Sequence, residues 1–173
     1  MKLFWGMSRE ELIQVEEGLP DPEISRGDTL MYHSELLGEK TLTAYTFASD
    51  KLVRAKYMLT KYFSPGAQRL LYPAMPPKEP PLEECFRDFD TLEKAIMAEH
   101  GEPDATTHYG HPDRTDVNEL EFEIMAKAIC SGQSSWYSEW KTKDTLIILL
   151  LRGEGGEIKL EIGFRSVELD DLR

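Results

Sequence analysis

An alternation written twice narrows the fold more than any other feature of this chain. Val53, Ala55, Tyr57 and Leu59 are apolar, and Arg54 and Lys56 stand between them. Ile158, Leu160, Ile162 and Phe164 repeat the pattern around Lys159 and Glu161, with Arg165 following. Successive side chains on a strand point to opposite faces, so each stretch presents one apolar face and one charged face. That is the signature of an antiparallel sheet with one wet side; a strand buried on both faces would be apolar throughout. The residues that lead into these stretches repeat as well. Ser34 to Leu42 overlays Ser138 to Leu146 without a gap, and both read as strand, polar turn, strand. Ala48-Ser49-Asp50 and Gly153-Glu154-Gly155-Gly156 supply the turns between the later strands.

Each set of strands follows a helix signal. Ser8-Arg9-Glu10-Glu11 is a capping box, followed by Leu12, Ile13 and Val15. Gly18 then offers a left-handed stop and Pro20 blocks continuation. The second copy runs from an Asp90-Thr91-Leu92-Glu93 cap through Ala95, Ile96 and Ala98 to Gly101 and Pro103. Gly-x-Pro-Asp therefore occurs once per half, as a helix stop. Asp21 and Asp104 need no catalytic role and are expected to face solvent. The second half holds an insertion, Asp116 to Cys130, ended by Ser131-Gly132. Leu120, Phe122 and Ile124 alternate with glutamates as in a strand, but length and Ala126-Lys127-Ala128 favour a helix. Between the halves, Tyr72 to Pro81 carries five prolines in nine positions, a stiff connector that cannot join a sheet interior.

These signals predict an α+β protein of two tandem modules, each with helices packed on one face of an antiparallel sheet, as separate sheets or as one continuous sheet. The boundaries are residues 1–71 for the first module, 72–84 for the linker and 85–173 for the second.

Charge limits the partners. The chain has 173 residues, 40% of them hydrophobic, and a net charge of −12. Through Glu84 there are 13 acidic and 10 basic residues; from Cys85 onward there are 19 and 10. A phosphate backbone would be repelled, and no Lys/Arg cluster is interleaved with aromatics, so neither nucleic acid nor an anionic membrane is expected as partner. The longest apolar run, Leu146 to Leu151, is strand-sized and spans no membrane. The opening MKLFWGMSREEL has no long apolar segment and no lipid-anchor cysteine. As written it predicts a cytoplasmic protein; an upstream signal would move it to the cell envelope.

Phe4-Trp5-Gly6-Met7-Ser8-Arg9-Glu10-Glu11-Leu12, with Gly18-x-Pro20 after it, resembles the opening of SmpA/OmlA-type modules, small outer-membrane assembly lipoproteins. In that family a Gly-Met-Ser/Thr helix start leads to Gly-x-Pro and then to three antiparallel strands. Two such modules in tandem resemble the β-lactamase-inhibitor-protein-like fold. Its helices cover one face of a continuous sheet and leave the other concave and open. The second half departs from the pattern, with Phe89-Asp90-Thr91 where the first has Trp5-Gly6-Met7. The resemblance implies a binding or assembly module without catalysis, and no particular partner.

The residues themselves offer little chemistry. His108 and His111, with Asp116 nearby, could form a metal pair, but a zinc site wants three or four convergent ligands and these lie in a Gly/Pro loop. His33 and His100 are isolated. Cys85 and Cys130 lack CxxC spacing and read as two buried free thiols, with a disulfide between them as the alternative. Cys130 sits near a helix C-terminus and Cys85 follows two glutamates, and neither setting favours a thiolate. Carboxylates are abundant, among them Asp88, Asp90, Glu119, Glu121, Glu123, Asp170 and Asp171, yet nothing fixes a catalytic pair. No phosphate loop, nucleophile elbow or metalloprotease motif is present, and Gly153 to Gly156 opens no helix. No catalytic residue, metal or cofactor is therefore assigned.

Binding remains. The outward register combines His33, Glu35, Arg54, Lys56, Tyr137, Glu139, Lys159, Glu161 and Arg165. Trp136 and Trp140 share the opposite face from Tyr137 and serve either as core or as interface anchors. The favoured expectation is a non-catalytic module that binds a protein partner through this face. One alternative is a small-molecule site or metal-dependent enzyme built on His108 and His111. The other is a self-associating structural protein, for which an unpaired edge strand would mediate a homodimer.

Overall fold

The computed structural model describes residues 3–16, 20, 21, 24–64, 67, 68, 71, 82–107, 119–154 and 157–169. The Tyr72–Pro81 connector, the His108/His111 loop, Gly18, Gly155, Gly156 and Asp170-Asp171 lie outside the described residues.

The described chain is α+β. Three strands come first: β1 (Thr29–Leu36), β2 (Glu39–Ala48) and β3 (Lys51–Leu59). They follow helix α1 (Arg9–Val15) and precede a 3-10 turn at Thr60–Tyr62. Helix α2 (Leu82–His100), the short β4 (Ala105–Thr106) and helix α3 (Glu119–Cys130) come next. Then β5 (Ser135–Lys141), β6 (Thr145–Glu154) and β7 (Glu157–Ser166) complete one seven-stranded antiparallel sheet. Its order is β1-β2-β3-β7-β6-β5-β4.

Turn chemistry fixes the first hairpins. Leu37 and Gly38 have φ of 51° and 81°, and Ser49 and Asp50 have 49° and 60°. Two consecutive left-handed residues form the two-residue turn whose twist matches the flanking strands. In the resulting register Leu30 faces Tyr45, Tyr32 faces Thr43, His33 faces Leu42 and Glu35 faces Lys40. Residues directly opposite share a face. Leu30, Tyr32 and Tyr45 thus belong to one side, and His33, Glu35, Leu42 and Lys40 to the other.

By contact density the described chain forms two compact units, each drawing on the sheet. The first comprises Met1–Met58, Lys141–Ile147 and Ile162–Arg173. Its core joins Met7 and Leu12 to Tyr32, Tyr45, Phe47, Leu52 and Ala55, with Leu3, Trp5, Val15, Leu30 and Phe164 around them. The Tyr32 and Tyr45 rings meet edge-on at 5.7 Å, and so do Tyr57 and Phe164 at 5.9 Å. Leu52 and Ala55 lie three apart on β3 yet share this cluster, whereas strict alternation would send them to opposite faces. Gly6 and Met7 run beside β3, bonding the Leu52 carbonyl and amide at 2.9 and 2.8 Å. The Ser8–Glu11 capping box forms as the sequence predicts. The helix end does not follow the prediction. Glu16 is already extended (φ −72°, ψ 139°), so α1 stops before Gly18, after seven residues. With only Leu12 buried along it, nothing rewards a longer helix.

The second unit comprises Leu59–Trp140 and Ile148–Glu161. Here the predicted start of the second helix is corrected. Helix α2 runs unbroken through Asp90, which is no cap, and Thr91 donates to the Arg87 carbonyl one turn back, at 2.8 Å. Its apolar stripe begins upstream: Cys85, Phe86, Phe89 and Leu92 are all buried. Each buried large side chain contributes about 1.5–3 kcal/mol, which outweighs the local cap signal. The end is as expected, with Gly101 left-handed at φ 81° and its amide on Met97. Helix α3 is helical, not stranded. It closes with Gly132 at φ 74°, Gly132 donating to Ile129 and Gln133 to Ala128, a Schellman motif. A side chain at Gly132 would stand 3.1 Å from the Gly153 carbonyl oxygen.

The repeated Gly-x-Pro-Asp has a second use. The Asp21 amide donates to Met31 of β1 at 2.7 Å, and the Asp104 amide donates to Glu139 of β5 at 2.8 Å. Asp104 is exposed as predicted, but Asp21 is half-buried and pairs with His33 at 3.0 Å.

Candidate functional site

Each predicted binding residue sits on a strand. In the first unit Arg54 and Lys56 alternate with Ala55 and Tyr57, which turn toward the α1 core. Arg165 follows Phe164 in the same way. His33, Glu35, Lys40 and Arg165 are exposed, and Arg54 and Lys56 are half-buried. The structure thus brings His33, Glu35, Arg54, Lys56 and Arg165 to the side of β1, β2, β3 and β7 away from α1.

In the second unit the prediction divides. Tyr137 and Lys159 are half-buried, and Lys159 reaches Glu154 at 2.7 Å in a solvent-facing pair. Glu161 is only 7% exposed, so it offers a partner almost no surface. Trp136 and Trp140 are core residues and cannot act as exposed anchors. Trp136 packs edge-on against Phe86 at 4.6 Å and Phe89 at 5.7 Å. Trp140 is 2% exposed, and its indole donates to the Gly101 carbonyl at 2.9 Å. Aromatic burial area goes to the core wherever a facing helix supplies an apolar stripe, and α2 does. Between the tryptophans the buried Ser138 hydroxyl donates to the equally buried Glu93.

One cluster carries no sequence signal of its own. Lys61 lies in the 3-10 turn after β3, with its side chain 8% exposed. Its ammonium stands 3.0 Å from Glu84 and 2.6 Å from Asp88 on α2. The Tyr62 hydroxyl donates to Asp88, and the Lys61 ammonium also lies 5.5 Å from the centre of the Tyr62 ring. Burial first, then the bond to Asp88, push the Tyr62 phenol well above the ordinary tyrosine range. Gln68 donates to the carbonyls of Lys61 and Phe63 at 3.1 and 2.7 Å, fixing the turn. Glu84 and Asp88 are four apart and so share a helix face. That spacing was readable, but their lysine comes from a turn far upstream. The group ties a strand end to α2 and holds a cation between two acids. It presents no exposed nucleophile.

A second polar group lies inside the first unit. The Tyr45 hydroxyl donates to Glu16, and burial first, then Tyr57 and Glu16, raise its phenol far above the usual range. Tyr32 is raised in the same direction, by burial and then by Glu16. Beside them Ser34 shares hydrogen bonds with Thr41, at 2.7 Å, and with Thr43.

Cys85 is buried, at 1% exposure, and is in no disulfide. Among the described residues no group of three or more His, Cys, Asp or Glu side chains is placed to hold a metal ion. His108 and His111 lie outside them. No helix among the described residues is long and apolar enough to cross a membrane. No family model, curated protein or solved structure matches this chain.

Proposed function

We propose that this chain is a non-catalytic protein-binding module that acts through the strand face turned away from α1. One observation carries the reading. One alternation turns buried Ala55 and half-buried Tyr57 and Phe164 toward the α1 core while it sends Arg54, Lys56 and Arg165 to the other side. A rigid sheet then displays charged side chains at fixed spacing, which suits recognition by charge complementarity.

The same reading treats the chain as two tandem modules of the SmpA/OmlA type. Two findings support it. The strand order runs β1-β2-β3 inward from one side and β5-β6-β7 inward from the other, with the short β4 outside β5, so β3 meets β7. The Asp amide after each helix stop binds the first strand of a triplet, Asp21 on β1 and Asp104 on β5.

Affinity capture from source cells tests the function, with charge reversals at Arg54 and, separately, at Lys159. A partner held by the native chain and lost by Arg54→Glu is the expected result. A native chain that recovers nothing, or a partner indifferent to both reversals, would remove this face as the site.

A further inference from the structure

We infer that Glu16 and the hydroxyls of Tyr32, Tyr45 and Tyr57 form a binding site for a primary ammonium group. The inference goes beyond the reading above. The site lies on the α1 side of the strands, and neither proposal depends on the other.

The sheet supplies one tyrosine per strand: Tyr32 on β1, Tyr45 on β2 and Tyr57 on β3. The register sets Leu30 opposite Tyr45, two residues from Tyr32, so the two tyrosines share a face. Their rings meet edge-on at 5.7 Å. Glu16, the cap residue that ends α1, brings its carboxylate to them. A hydroxyl has one proton to give. Tyr45 gives its proton to Glu16, so it accepts in its hydrogen bond with Tyr57. Donation therefore runs from Tyr57 through Tyr45 to Glu16, and the carboxylate is the last acceptor in the chain.

Two groups are left over. The Tyr32 hydroxyl is buried and makes no hydrogen bond, although the Glu16 charge reaches it and helps to raise its phenol. A buried hydroxyl without a partner is costly and uncommon. Glu16 forms no ion pair among the described residues. A carboxylate has about four acceptor sites, and a single phenol proton leaves most of that capacity unused. An ammonium answers both groups, donating to the Glu16 carboxylate and to the Tyr32 oxygen, while the tyrosine rings add cation–π attraction. Glu16 would repel an anion. A quaternary ammonium would meet the rings but leave the Tyr32 hydroxyl unbonded, so the primary group fits better. Tyr32 and Tyr45 are 4% and 2% exposed, whereas Glu16 and Tyr57 are half-buried. The ligand's alkyl chain therefore leaves past Glu16 and Tyr57. A free alkylamine and a lysine side chain carry this same group.

The test uses the full chain with isotope-labelled tyrosine rings, followed by NMR as n-butylammonium chloride is added at constant ionic strength. Single Tyr→Phe variants assign the ring signals. Saturable shifts at Tyr32 and Tyr45 are expected, with affinity lowered about tenfold or more in Glu16→Gln, as loss of a charged hydrogen bond implies. Glu10→Gln removes the same charge from an exposed position of α1 and should bind as the native chain does. Tyr32→Phe should also weaken binding, yet leave the free protein at least as stable in urea, because it removes an unbonded polar group. Circular dichroism confirms that each variant is folded. Signals that never saturate, or equal losses in Glu16→Gln and Glu10→Gln, would overturn the inference. Equally tight binding of tetramethylammonium or potassium would overturn it too, by showing a site for cations in general. A Tyr32→Phe protein that is less stable than the native chain would show that the hydroxyl is already satisfied, and would also overturn it. Nα-acetyl-lysine amide separates the two sources. Binding as tight as that of butylammonium points to a partner's lysine and exclusion points to a free amine; both outcomes support the ammonium assignment.

Discussion

Replacing Lys61 by Met should be among the most damaging single changes in the described chain. The methionine keeps most of the stem volume and removes the charge. Glu84 and Asp88 are left side by side, their side chains only 15% and 18% exposed, with the cation formerly 3.0 and 2.6 Å away gone. Stranding one partner of a buried ion pair costs about 3–5 kcal/mol. Some water reaches both carboxylates, so the low end, about 3 kcal/mol, is expected. For a chain of this size that is a fall of roughly 6–12 °C in Tm. Urea denaturation of native and variant proteins should show the deficit at pH 7. Lys61→Met/Glu84→Gln/Asp88→Asn should recover most of the loss. A deficit below about 1 kcal/mol, or one that the triple variant does not reduce, would refute the claim that the lost charge pairing is the cause.

Three other outcomes follow from the same structure. Leu37 is 60% exposed with φ 51°, a region costly to a bulky residue, so Leu37→Asn should stabilise by about 0.5–1 kcal/mol in thermal melts. Trp140→Phe removes the indole donor to Gly101 and should cost about 1–2 kcal/mol in urea titration, without loss of the helix signal by circular dichroism. Tyr32, Tyr45 and Tyr62 are all raised above the ordinary value of 10.0. Above pH 10 the unfolded state therefore releases phenolic protons that the folded state keeps. Stability should be full below pH 10 and fall beyond it by up to about 1.4 kcal/mol per pH unit for each tyrosine. Alkaline melts of Tyr45→Phe should show a shallower slope.

The sequence announced the strands better than the helices. Period-two alternation and paired turn residues are local signals, and β1 to β3 and β5 to β7 follow them closely. Helix boundaries depend on what packs alongside. Asp90 has the grammar of a cap, but Cys85, Phe86 and Phe89 find the sheet and carry α2 past it. Alternation also placed Trp136 and Trp140 on one face, but could not say that α2 covers it. The charge on Glu161 suggested solvent, yet the structure buries it. The Lys61 cluster was silent because its acids and its cation are far apart in the chain. Arg54, Lys56 and Arg165 were legible because one strand's own pattern decides their side.

The central seam of the sheet has a consequence for how the chain folds. Hairpins β1–β2 and β2–β3, like β5–β6 and β6–β7, close through short turns, and such hairpins form within about 1–10 μs. The β3–β7 pair must instead bring together residues roughly a hundred positions apart, against a loop-closure entropy that grows with length. It is expected to form last and to limit the rate. Until it does, β3 shows an open edge flanked by Leu52, Val53, Ala55 and Leu59. A strand that is interior in the finished sheet is thus a sticky edge during assembly, and misfolding by edge-to-edge pairing should concentrate there.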